Sequence, residues 1–219
     1  MKRLAATTIG NLCLADRDFR SSISLYQGMF INFIYALFCV VEGARFVSIW
    51  LISIAAYYLV LGILRAYLIF GYQHRHSGLP YEYRCYRRTA WLLFLLNIPM
   101  GGMILLMVQT NSGFSYPGYV IYLAAIYTFC MMIISIINLV KFRKMDSPIL
   151  SAAKTLNFVA AMMSVLGLQT AMISRFSASG ENYRKLMNAV TGGCIYGIVI
   201  ILAACMLIRA AITRKRLAQ

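Results

Sequence analysis

Hydrophobic residues fill most of the chain in long runs, and short polar segments interrupt them. Six runs are long enough to cross the roughly 30 Å hydrocarbon core of a bilayer as α-helices. We place these spans at residues 26–44, 47–71, 90–109, 117–140, 150–174 and 187–209. The first two runs are nearly continuous, so a hairpin is required between them, at residues 42–45. The pattern predicts an all-α polytopic membrane helix bundle with six transmembrane helices.

Turn and cap residues divide the chain between these runs. Asn111, Gly113 and Pro117 indicate a turn between the third and fourth spans. Asp146 and Ser147 precede Pro148, an order typical of a helix N-cap followed by proline in the first turn. The predicted organisation is an N-terminal segment at 1–25, three-helix units at 26–109 and 117–209, and a basic tail at 210–219.

Composition supports a lipid environment. The 219 residues are 61% hydrophobic and 12% charged, whereas a soluble domain is usually about 45–50% apolar and about 25% charged. The net charge of +15 comes from 21 Lys and Arg against 6 Asp and Glu. In a soluble protein such charge would suggest nucleic acid, but these basic residues lie between apolar runs and therefore indicate topology. We expect no nucleic-acid partner.

Basic residues are concentrated on one side of the predicted spans. They occur near the N terminus, after the second and fourth spans, and at the C terminus, whereas the other side carries Arg45, Arg175, Arg184 and Lys185. The positive-inside rule then places both termini in the cytoplasm and the chain in the cell membrane. The second of these groups should contact anionic lipid headgroups: Arg75, Arg84, Arg87 and Arg88.

The two halves share short motifs in the same order. Asn97 with the glycine pair at 101–102 matches Asn188 with the pair at 192–193, in the third and sixth spans. Similar matches relate span one to span four and span two to span five. A duplicated three-helix unit reverses direction in its second copy, so the matches predict a 3+3 inverted repeat, as in many transporters. Chance similarity among small residues is the alternative.

The matched segments supply the candidate binding residues. Pro99 removes a backbone donor beside Asn97, so a broken third helix could present an amide and free carbonyls to a cation or a small polar solute. The second copy adds Thr191, and Gln169 should face the bundle. The candidate substrate-binding residues are Asn97, Gly101, Gly102, Gln169, Asn188, Thr191 and Gly192. The alternative is a proline kink with close helix packing.

Other intramembrane polar residues have simpler explanations. Small or polar residues form a continuous seam along span five, typical of close helix packing: Ala153, Asn157, Ala160, Ser164, Gly167, Ala171 and Ser174. Arg65, Lys154 and Arg209 lie near span ends, where we expect their side chains to reach the interface.

Catalytic chemistry is poorly represented. His74, His76 and Cys85 share one loop region but lack a fourth ligand, so we expect no metal site. We also expect no catalytic residues, no cofactor and no enzymatic activity.

Four segments resemble a known group of proteins. They are Phe114 to Gly118 with Ile121 and Tyr122, Ile137 to Lys144, Ser147 and Pro148 with Ser151 to Lys154, and Leu168 to Met172. The chain resembles uncharacterised six-span membrane proteins of Gram-positive bacteria, most closely over 114–193. The resemblance implies the topology and no substrate, because the family has no assigned activity.

Two functions fit these patterns. The first is a small transporter or permease for an ion or small polar solute. The second is a non-transporting membrane sensor or scaffold subunit that binds a partner through its basic cytoplasmic face. The expected partners are the bilayer, a solute or ion, and a second copy of the chain in a homo-oligomer.

Overall fold

The computed structural model describes residues 17–45, 49–74, 78–110, 118–141, 147–176 and 181–217. These residues form the helices α1 (Arg17–Arg45), α2 (Ile49–Gln73), α3 (Leu79–Thr110), α4 (Gly118–Lys141), α5 (Pro148–Phe176) and α6 (Glu181–Leu217). The described ranges contain no strand, so the predicted all-α class is confirmed.

Five helical segments among the described residues are long and apolar enough to cross a bilayer. They are Leu25–Arg45, Ile49–Gln73, Leu79–Leu106, Pro148–Ile173 and Asn182–Thr213. These segments indicate a multi-pass membrane protein, because a soluble globule has no way to bury so many apolar helices. They also account for exposed apolar side chains such as Ile49, Phe30 and Ile201, which would face lipid.

Several helices extend beyond the predicted spans. α3 begins at Leu79 rather than near 90, and α6 continues to Leu217 rather than ending near 209. Hydropathy locates only the part of a helix that crosses hydrocarbon, while backbone hydrogen bonds continue into the polar interface. The first two spans are separate helices, as predicted, because α1 ends at Arg45 and α2 begins at Ile49. The predicted position of the hairpin was wrong, since residues 42–45 belong to α1.

Parts of other predictions lie outside the described residues. These parts are residues 1–16 of the N-terminal segment and the turn at 111–117. From Arg17 onward the N-terminal segment belongs to α1. Pro148 is the first residue of α5, as its predicted place in the first turn requires.

Successive helices run antiparallel. At one end of the bundle, the Gln73 side chain donates to the Tyr26 hydroxyl at 2.8 Å, and the Ser147 hydroxyl donates to Glu82 Oε2 at 2.7 Å. We call this end the basic end, because it carries exposed or half-buried arginines of α3 and α6: Arg84, Arg87, Arg88 and Arg209. At the opposite end Arg45 pairs with Glu42 at 3.8 Å.

α5 is the central helix, because it contacts each of the other five helices. Its predicted seam is a packing surface: Ala153, Ala160, Ser164, Gly167 and Ala171 are all buried. Burial extends well beyond the seam to larger side chains, including Leu156 and Leu166. A helix that is apolar around its whole circumference is expected at such a central position.

The α2–α5 contact gives a direct test of the packing. The buried Tyr58 hydroxyl donates to the Ala160 carbonyl oxygen at 2.7 Å, and its ring meets the Tyr35 ring edge-on. We expect Tyr58→Phe to lower the free energy of unfolding by about 1 kcal/mol, because one interhelical hydrogen bond is lost while the ring remains. SDS titration in mixed micelles would measure the difference.

Tyr57 provides the matched control. Its hydroxyl is buried and has no hydrogen-bond partner within the described structure. Tyr57→Phe should therefore leave stability unchanged or raise it, because it removes a buried polar group that makes no bond. Equal losses in the two variants would contradict the assigned α2–α5 hydrogen bond.

Candidate functional site

Asn97 faces the bundle interior, as predicted. Its side chain is 2% exposed, and neither amide atom has a hydrogen-bond partner among the described residues. α3 continues through Pro99 without a break, so the expected broken helix does not form. Pro99 still has no N–H, which deprives the Leu95 carbonyl of its usual helical donor. The segment thus combines an unbonded amide with a weakened helix turn.

The two glycine pairs share one arrangement. A Cβ atom added to Gly101 would lie 3.1 Å from the Tyr196 ring, and one added to Gly192 would lie 2.7 Å from Ile104 Cγ2. A Cβ atom at Gly102 or at Gly193 would meet nothing within 4 Å. The first glycine of each pair therefore permits α3 and α6 to approach closely, while the second faces away from neighbouring helices.

The same contacts separate the two asparagines. Because Gly101 lies opposite Tyr196 and Ile104 opposite Gly192, the antiparallel register places Asn97 opposite residue 199 or 200 of α6. Asn188 is then about 17 Å away along the bundle, at about 1.5 Å per residue. The matched asparagines occupy different depths, and one small solute cannot contact both at once.

The remaining candidates form a second polar group. The Gln169 side chain donates to Thr191 Oγ1 at 2.6 Å and joins α5 to α6. Asn188 lies one turn from Thr191 on α6 and is buried, and its Oδ1 lacks a hydrogen-bond partner in the described ranges. The structure therefore brings together Gln169 and Thr191 with Asn188 nearby, nearer the end opposite the basic end, and leaves Asn97 apart.

Arg65 departs from its predicted position. Its side chain is 1% exposed and does not reach the interface. A Cβ atom added to Gly28 would contact Arg65 Nη1 and lie 2.9 Å from Asn157 Oδ1, so the guanidinium lies against α1 and near the Asn157 amide of α5. The physical reason is that helical side chains point toward the N terminus of their helix, which directs Arg65 into the bundle rather than toward the basic end.

Other polar residues lie within one helical turn of Gly28 and Asn157, the two residues beside Arg65. Asn32 lies one turn beyond Gly28 on α1 and is buried, with no hydrogen-bond partner for its Nδ2 in the described structure. The Asn157 carbonyl accepts a bond from Ser135 Oγ of α4 at 3.3 Å. Lys154 lies one turn before Asn157 and is also buried. We call Asn32, Arg65, Lys154 and Asn157 the interior cationic cluster.

The sequence contained only part of the signal for this cluster. A charged residue within the second apolar run was visible, but the space that holds it depends on Gly28 of another helix. The cluster offers positive charge and amide groups, which suit an anion or a polar solute. The acidic side chains that the structure places, Glu42 and Glu82, lie toward the two ends of the bundle.

Metal ligands do not assemble within the described residues, where no three His, Cys, Asp or Glu side chains come together. Cys85 is buried against Gly71 and receives a bond from the Tyr67 hydroxyl at 3.8 Å. His74 Nδ1 lies 3.0 Å from the Phe70 carbonyl oxygen, and His76 lies outside the described ranges.

A surface cavity opens at the basic end between α3 and α6. Its volume is about 460 Å³, and its lining residues are Tyr83, Cys205, Ile208, Arg209, Ile212 and Thr213. None of the candidate binding residues lines this cavity, which therefore does not reach Asn97 or Asn188.

Comparison with protein-family models, curated proteins and solved structures found no match to the chain. The resemblance to six-span proteins of Gram-positive bacteria stays a prediction.

Proposed function

We propose that the protein is a transporter or permease for a small polar solute or ion. The observation that carries the proposal is the Asn97 side chain, which is buried within apolar helices and whose amide has no hydrogen-bond partner in the described structure. Burying such a group costs free energy, so a polar ligand that enters and bonds to it would recover that cost. Polar residues at membrane depth are a common mark of solute and ion pathways.

Helix pairing supports the 3+3 inverted repeat. α1 packs on α2 as α4 packs on α5, and α2 contacts α3 as α5 contacts α6. Exchange of the two halves would replace α2 by α5 and α3 by α6. The contacts α2–α5 and α3–α6, which such an exchange leaves unchanged, are both present. With α4 added to the five apolar segments, the chain would cross the bilayer six times. With the basic end in the cytoplasm, both termini would be cytoplasmic and the chain would lie in the cell membrane.

The pairing is not fully symmetric. α5 contacts α1 and α3, but the corresponding contacts of the other half, α2 with α4 and α2 with α6, are absent among the described residues. The interior cationic cluster lies in this extra contact region of α5, between Asn97 and the basic end. A solute that leaves Asn97 toward the basic end would pass close to these positive charges, which favours anionic or neutral polar solutes over cations.

The second candidate is a non-transporting sensor or scaffold subunit. It is favoured by the described cavity, which opens at the basic end and does not reach the interior amides. The small-solute partner belongs to the transporter proposal. We also propose that the protein is not an enzyme and that it forms a homo-oligomer.

Solute-dependent stability distinguishes the two candidates. The purified chain would be heated with a panel of inorganic anions, inorganic cations and small polar metabolites, and the midpoint of unfolding would be measured. At least one solute should raise the midpoint of the wild-type protein, because a ligand that binds only the folded state stabilises it. Asn97→Leu should abolish that increase, and the same solute should cross proteoliposomes only when the wild-type protein is present.

Gly193→Ala is the control, since it changes the adjacent helix α6 at a position outside the candidate site and with no neighbour within 4 Å. It should keep the solute response and the flux. A solute response that survives in Asn97→Leu would remove Asn97 from the binding site. A panel without any stabilising solute, together with no flux, would favour the sensor or scaffold.

A further inference from the structure

The cavity between α3 and α6 combines polar and apolar surfaces in an ordered way. Its polar groups are the Tyr83 side chain of α3 with Arg209 and Thr213 of α6. Its apolar surface comes mainly from Ile208 and Ile212, which are 58% and 51% exposed. Arg209 itself is exposed, and it also lies within electrostatic range of the buried Tyr86 side chain. One arginine and two residues that carry hydroxyl groups thus line the same space as two isoleucines.

The cavity lies where the apolar segment of α6 ends and its basic C-terminal residues begin. Arg209 and Thr213 are in the last turns of the apolar segment Asn182–Thr213, and α6 continues to Leu217 through basic residues. The register of α3 and α6 places Arg87, which is half-buried, opposite residue 209 or 210 and so adds a second arginine at the same depth. Positive charge therefore converges at the level where lipid phosphates lie.

From this arrangement we infer that the cavity binds the headgroup of one anionic phospholipid. The phosphate lies against Arg209, Thr213 and the Tyr83 hydroxyl, and an acyl chain follows the isoleucine surface toward the bundle centre. Arginine and hydroxyl donors are the groups that hold phosphate oxygens, and basic pockets between transmembrane helices take anionic headgroups. A soluble anion of the same charge has no acyl chain, so it would bind the polar groups and leave Ile208 and Ile212 exposed.

Lipid retention tests the inference. The full chain would be reconstituted in phosphatidylcholine vesicles that contain a minor fraction of phosphatidylglycerol, and bound lipid would be counted by native mass spectrometry. The wild-type protein should retain phosphatidylglycerol, and Arg209→Gln should weaken its apparent affinity about fivefold to tenfold. Thr213→Val, which keeps the side-chain volume and all charges, should weaken it about twofold to fivefold through the loss of one hydrogen bond.

Arg84→Gln controls for general attraction between the basic end and anionic membranes. Arg84 is exposed at the same end, stands 5.8 Å from the Tyr81 ring centroid and does not line the cavity. Its substitution should change retention less than twofold. Equal losses in Arg84→Gln and Arg209→Gln, or unchanged retention in Arg209→Gln, would overturn the site.

Soluble glycerol phosphate separates a lipid from a free phosphate ligand. It carries the phosphate without acyl chains, so millimolar glycerol phosphate should not displace phosphatidylglycerol from the wild-type protein. Full displacement would show that the apolar surface contributes nothing, and the lipid inference would then be wrong.

Discussion

Gly192→Ala should lower the free energy of unfolding by about 1–3 kcal/mol, the usual cost of added volume in a well-packed core. The new methyl group would lie 2.7 Å from Ile104 Cγ2, well inside van der Waals contact. Ile104 cannot turn away easily, because its Cγ2 is bonded to Cβ and a β-branched side chain in a helix has one strongly preferred rotamer. The strain must therefore be relieved by separating α3 from α6.

Gly193→Ala is the matched control for that loss. It makes the same chemical change one residue later, where the added methyl group meets nothing within 4 Å. Alanine is a better helix former than glycine, so this variant should be neutral or more stable by up to about 1 kcal/mol. SDS titration of both variants measures the difference. Equal stabilities would contradict the assigned α3–α6 contact.

Asn97→Leu should raise the stability of the protein in solute-free buffer by about 1–3 kcal/mol, because it removes a buried amide that makes no hydrogen bond in the described structure. The two side chains branch at the same carbon, so the replacement largely keeps the shape. The sign of the effect is the important result. An asparagine that served as an interhelical hydrogen bond would instead cost about 0.6–2 kcal/mol when replaced.

Gln169→Leu is the contrasting variant. Gln169 also belongs to the predicted site, but its amide donates to Thr191 at 2.6 Å, so its replacement should lower stability by about 1 kcal/mol. Opposite signs at Asn97 and Gln169 would show that the two amides have different roles. A loss of stability in Asn97→Leu of the same size as in Gln169→Leu would return Asn97 to a structural role.

The positions of the helices, and the faces that they bury, could be predicted largely from the local sequence pattern. Apolar runs located the helices because lipid requires backbone groups to bond within each segment. The seam around Ala160 predicted close packing of α5, and the inward orientation of Asn97 followed from its place among apolar residues. Each of these conclusions depends on one helix and its solvent.

Features that depend on two or three helices could not be obtained in this way. The burial of Arg65 depends on Gly28 and on the position of Asn157, which belong to other helices. The distance between Asn97 and Asn188 follows from the antiparallel register of α3 and α6, which similar motifs do not specify. The cavity at Arg209 requires Tyr83 of α3, and Tyr83 carries no distinctive sequence motif.

The central place of α5 has a consequence for synthesis in the membrane. The chain is synthesised from its N terminus, so the polar groups of α1 and α2 can enter the bilayer before α5 has been synthesised. Until α5 arrives, Asn32 and Arg65 lack the Asn157 side of their environment, so α1 and α2 form an incomplete polar hairpin. We expect this pair to stay incomplete during the seconds needed to add about a hundred residues, at about 5–20 residues per second. The fifth helix therefore completes the assembly of the four that precede it.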